Sequence, residues 1–69
     1  MKFSQEDLKK YEDKILKIKL EQDKHLRGRF LEYVEKEGHI ALVIQSNTYT
    51  FQIDDKDIKD VEIIAERVW

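Results

Sequence analysis

Apolar residues recur along this chain with two periods, and the change between them falls near residue 15. Ahead of it, Leu8, Tyr11 and Ile15 are spaced as one helical stripe. Ser4 stands where an N-cap belongs, with Asp7 three residues on as a shortened capping-box partner. Phe3 and Leu8 have the spacing of a hydrophobic staple. Glu6 and Asp7 open the segment and Lys9, Lys10 and Lys14 follow, as the helix dipole favours. The pattern predicts a helix over about residues 4–13. So short a helix with so thin an apolar face must lean on a sheet.

From Leu16 the period is two. Leu16, Ile18 and Leu20 face one way and Lys17, Lys19 and Glu21 the other, a half-buried strand over about residues 15–21. A polar turn leads to a second strand at about 25–35, with Leu26, Gly28 and Phe30 inward. The expected register sets Leu20 opposite Leu26, Ile18 opposite Gly28 and Leu16 opposite Phe30. A glycine inside a strand predicts a bend or bulge there. Beyond it Leu31, Tyr33 and Val34 blur the alternation.

Glu35-Lys36-Glu37-Gly38 is a turn, and a third strand follows at about 39–45 with Ile40, Leu42 and Ile44 on one face. Ala41 and Val43 on its other face suit a strand covered on both sides. After the turn signal Ser46-Asn47, a fourth strand at about 48–53 points Tyr49, Phe51 and Ile53 inward. With Phe30, Tyr49 and Phe51 are expected in the core. Asp54 to Asp60 is a charged connector in which Ile58 plugs the core from a helical turn, and 61–65 is the fifth strand. Val68 and Trp69 end the chain, and Trp69 reads equally as packed core or as an exposed interface anchor. The expected fold is mainly β with one N-terminal helix: a five-stranded, strongly bent antiparallel small barrel.

Sixty-nine residues make one domain, 1–69, and a chain this small buries only about 60% of its unfolded surface. With no cysteine, disulfides and thiolate metal sites are excluded, which fits a reducing compartment. The first residues have no apolar leader core, and no run approaches membrane-spanning length. The expected setting is cytoplasmic, away from membranes. Thirteen basic residues face 15 acidic ones, unevenly spread: residues 1–36 hold ten against eight, residues 37–69 three against seven. That balance lacks the basic excess behind non-specific nucleic-acid binding.

Two surfaces carry candidate chemistry. Asp54, Asp55, Asp57, Asp60 and Glu62 form an acidic stretch able to meet a basic protein surface, and otherwise a solvated connector. It lacks the glycine and closing glutamate of a calcium loop. Lys17, Lys19, Arg27 and Arg29 project from the outer faces of the first two strands, and Tyr33 would add one stacking aromatic for single-stranded nucleic acid. Their ordinary reading is the wet face of a hairpin, since Glu21, Glu32 and Glu35 interrupt them. His25 and His39 have no partner at metal-ligand or general-base spacing. No nucleophile–base pair or phosphate-cradling loop can be assembled, so a non-enzyme without cofactor or metal is expected. Ser4, Gly28 and Gly38 are expected to be structural.

A helix followed by five short strands, with a bent second strand and a one-turn connector before the fifth, resembles the Sm-like small barrel. Leu20 and Gly28 stand where that family places its first-strand leucine and second-strand glycine. The run Leu26-Arg27-Gly28-Arg29-Phe30-Leu31 resembles its first conserved block, and Ile53, Ile58 and Val61 its second. SH3-like barrels share much of this layout. Where Sm-like RNA binders carry an acidic residue and an asparagine, this chain has Val34 and Gly38. Where they carry an arginine-glycine pair it has Asp54-Asp55, which would repel a phosphate. In plan and acidity the chain is also similar to the Rof-type modulators of Rho, which implies a regulator that binds a protein. The expected function is a non-catalytic regulatory or accessory module. RNA or single-stranded nucleic-acid binding, and a structural oligomer subunit, stand as alternatives.

Overall fold

The computed structural model describes residues 2–65. Helix α1 (Gln5–Tyr11) precedes strands β1 (Ile15–Leu20), β2 (His25–Lys36), β3 (His39–Ser46), β4 (Tyr49–Asp54) and β5 (Ile58–Ala65). A tight turn occupies Glu21–Asp23 and a single 3-10 turn occupies Asp55–Asp57. The strands form one antiparallel sheet in the order β4-β3-β2-β1-β5.

Helix α1 starts as its sequence dictates. The Asp7 N–H donates to Ser4 Oγ and the Ser4 N–H donates to Asp7 Oδ2, both at 3.1 Å, satisfying donors that a helix start leaves unpaired. It stops two residues early, because Glu12 turns to extended backbone and Asp13 takes a φ of 59°. Ile15 therefore opens β1 instead of extending the helical stripe. Phe3, Leu8 and Tyr11 are buried against the sheet. The Tyr11 ring meets Phe3 and Phe30 edge-on, at centroid distances of 5.9 and 6.1 Å. Burial, with Asp7 and Asp60 nearby, raises its phenol above the ordinary value.

The β1–β2 hairpin is offset by two residues from the expected register. Leu16 lies opposite Gly28 and Ile18 opposite Leu26. The cause is the turn: Gln22 and Asp23 both take positive φ, and the Leu20 N–H donates to the Lys24 carbonyl at 2.7 Å. An even offset keeps every side chain on its expected face. Leu16 and Ile18 are fully buried, joined by Phe30, Leu42, Ile44 and Ile58. Ile58 fills the core as the first residue of β5, not from a helical turn.

Strand β2 works as two halves. Residues 25–29 pair with β1 and residues 29–36 with β3, so the sheet folds over on this one strand. Gly28 lies where the halves meet. A Cβ built there would sit 2.5 Å from the Gln45 carbonyl oxygen and 2.5 Å from Ile44 Cγ2, so β3 crosses where any side chain would stand. Crowding, not a positive φ, is what calls for glycine here. The bulge falls beyond it, between Phe30 and Glu32. Gly38 has the other role: with Glu37 it takes positive φ in the two-residue turn from β2 to β3.

The sheet is strongly bent but not closed into a barrel. Among the described residues β4 and β5 are its two edges, and helix α1 with Phe3 fills part of the opening. Tyr49 and Phe51, expected in the core, are 68% and 41% exposed. They share a face with Ile53, which does pack against the core, but neither ring is covered as Ile53 is. Val68 and Trp69 lie outside the described residues.

Replacing Gly28 by alanine or valine should destabilise the protein by roughly 1–3 kcal/mol, the usual cost of overpacking. Urea unfolding checks this, and an unchanged midpoint would mean that β3 can draw back freely.

Candidate protein-docking surface

The acidic stretch does not form one surface. Asp55 is 9% exposed, and its Oδ2 accepts from the Ile40 N–H at 3.2 Å. Its carboxylate ties the 3-10 turn to the start of β3, a structural duty in place of the expected exposed contact. Asp60 and Glu62 lie on β5 opposite Lys19 and Lys17 of β1. Lys17 in turn lies opposite Arg27, and Lys19 opposite His25. The acidic and basic candidates thus interleave on the outer face of one three-stranded ribbon, where opposite charges are cross-strand neighbours. Asp54 and Asp57 are left at the far end of β4. The Asp54 Oδ1 is 3.6 Å from His39 Nε2, and Asp57 is exposed.

The basic set is divided too. Lys17, Lys19, Arg27 and Arg29 do share the outer face, but Arg29 Nη2 lies 3.6 Å from Asp13 Oδ1. Tyr33 does not join them. The bulge after Phe30 reverses the alternation, so Tyr33 follows Phe30 onto the inner face, opposite Leu42. There it is half-buried against the core, and its hydroxyl donates to Gln5 Oε1 at 3.2 Å. Without a bulge Tyr33 would have stood beside the arginines, which is why its spacing misleads. Arg27 and Arg29 instead border an open cleft of about 640 Å³ with Ile15, Gln45, Ser46 and Asn47.

Exposed apolar side chains lie elsewhere: Leu31 on β2, Ile63 and Ile64 on β5, and a pair of rings on β4. On β4 the rings of Tyr49 and Phe51 are neighbours, with centroids 6.4 Å apart, and both are exposed. The hairpin closes on the pair Ser46–Tyr49 across two residues, so Tyr49, Phe51 and Ile53 turn their backbone groups toward β3. The alternating rule then points the N–H and C=O groups of Thr50 and Gln52 to the open side. From Tyr49 to Gln52 the strand bears no charge, no proline and no bulge. Edge strands are ordinarily guarded by such devices. The opposite edge has them: β5 carries Lys59, Asp60 and Glu62.

Alternation alone could not reveal this pair, since period two says which side chains share a face and not whether that face is covered. The available signal was position: Tyr49 directly follows a tight turn, on a strand flanked by threonines.

Among the described residues, no group of three or more His, Asp or Glu side chains could hold a metal ion, and no helix is long and apolar enough to cross a membrane. No family model matches the chain, no curated protein matches it, and no solved structure matches it.

Asp55→Ala should cost about 1–3 kcal/mol by leaving a partly buried N–H without its carboxylate acceptor. Asp57→Ala should stay within about 0.5 kcal/mol, as surface substitutions do. Paired urea melts check the contrast. Equal midpoints would remove the structural duty assigned to Asp55.

Proposed function

We propose that this chain is a non-catalytic module, on the Sm-like small-barrel plan, that acts by binding protein. Its docking surface is the open β4 edge, with Asp54 and Asp57 at one end to meet a partner's basic residues. The observation that carries this reading is the exposed Tyr49–Phe51 pair on an edge stretch, Tyr49 to Gln52, without charge. Two aromatic rings, one of them with a hydroxyl, supply apolar area at little entropic cost, as interface anchors do. Thr50 and Gln52 add backbone donors and acceptors for strand addition.

Immobilised protein should retain a specific partner from a cell extract. The double substitution Tyr49→Ser and Phe51→Ser should lose it, with the thermal melt nearly unchanged because both side chains are exposed. The pair Asp60→Ser and Glu62→Ser should retain it. Capture that survives loss of both rings would sink the β4 edge as the docking surface.

Nucleic-acid binding is the second reading, and one observation favours it: Arg27 and Arg29 border the same cleft as the polar side chains Gln45, Ser46 and Asn47. This reading predicts an oligonucleotide affinity that falls steeply with salt and drops further in Arg27→Ala with Arg29→Ala. No shift of single-stranded RNA or DNA at low salt would dispose of it.

A further inference from the structure

We propose that the occupant of the β4 edge is a second copy of this chain, added antiparallel so that a twofold axis passes between the two Phe51 residues. This rests on the reading of that edge as a protein-docking surface and names its partner.

The self-complementarity of the strand carries the argument. Because Thr50 and Gln52 present their backbone groups outward, the hydrogen-bonded pairs of a β4–β4 ladder must be formed by those residues. Of the registers that do so, the one that also sets every apolar side chain opposite an apolar one places Thr50 opposite Gln52 of the second copy and Phe51 opposite Phe51. It also places Tyr49 opposite Ile53 and Thr48 opposite Asp54. No charge meets a like charge. All six apolar side chains, three from each copy, fall on one face, where they extend the inner face already lined by Leu42 and Ile44. The same operation applied to β5 would run a rim of Lys59, Asp60 and Glu62 along its own image.

The paired strands continue into a ten-stranded sheet that removes the unguarded edge. The two acidic ends, at Asp54 and Asp57, are carried to opposite ends of the ladder. Six residues of strand separate Thr48 from Asp54, so the two Asp54 positions lie about 20 Å apart. The dimer would thus offer two separate acidic poles to a basic partner.

The geometry permits a direct test of the register. Phe51 faces its own image as a non-hydrogen-bonded pair, whose Cα atoms are about 4.5 Å apart, within disulfide range. The chain has no cysteine of its own, so Phe51→Cys introduces the only thiol. Under mild oxidation it should cross-link to a dimer in high yield, whereas Thr50→Cys, which faces Gln52, should not. The unsubstituted protein should rise in light scattering from 8.4 kDa toward twice that mass as concentration increases. Phe51→Lys, which sets two like charges face to face, should hold it at the single-chain mass with its circular dichroism unchanged.

A monomer at every concentration, with no Phe51→Cys cross-link, overturns the proposal. If such a monomer still captures another protein through Tyr49 and Phe51, the docking reading stands and only the second copy is lost. If it captures nothing, both fall. A ring-like mass of five or more chains would assign β4 to the β5 edge of the next copy and overturns the twofold arrangement.

Discussion

The close approach of β3 to Gly28 is the contact on which the other features depend. Sheets twist but resist sharp folding, because side chains on the inner face of a fold would occupy the same space. Here that space is vacated at one position, and the Gln45 carbonyl and the Ile44 side chain move into it. The first half of β2 can then serve β1 while the second half serves β3. Leu16, opposite Gly28, and Ile44, beside it, are brought into one core and fully buried. In a chain of 69 residues, folding the sheet onto itself supplies a core that a flat sheet of the same strands would lack.

The same fold decides what is left uncovered. Bending at Gly28 and the bulge after Phe30 carry the Tyr33 side of β2 toward helix α1, where Gln5 meets its hydroxyl. The core is therefore closed at the helix end, by Phe3, Leu8 and Tyr11. Near the β3–β4 turn no element among the described residues covers the inner face of β4. The exposure of Tyr49 and Phe51 follows from the geometry that buries Phe30 and Ile44.

Much of this was legible in the residues and some of it could not be. Ser4 and Asp7 announce the helix start because capping is local chemistry, read within four residues. The five strands are legible because a period of two follows from the backbone itself. What failed was non-local. The β1–β2 register depended on two positive φ values at Gln22 and Asp23, and only the aspartate belongs to a residue type that favours them. Tyr33 changed faces through a bulge that the alternation shows only as a blur over Leu31, Tyr33 and Val34, without fixing its place. Asp55 looked like one more acid in a charged connector, and its distinction is an amide fifteen residues away in sequence. Glycine 28 was legible as a special position, although through crowding and not through the bulge, which lies at the next inward residue.

The charge distribution carries the argument one step further. Along the sequence the chain looks divided into a basic half and an acidic half, and each half suggests its own ligand. The strand order cancels that division, because β5 returns beside β1 and sets Asp60 and Glu62 against Lys19 and Lys17. At separations of a few ångströms, opposite exposed charges reduce each other's field well inside the screening length of physiological salt, about 8 Å. A face of alternating sign attracts neither a polyanion nor a basic protein strongly. The β4 edge differs in kind, since its exposed surface is the apolar area of two neighbouring rings.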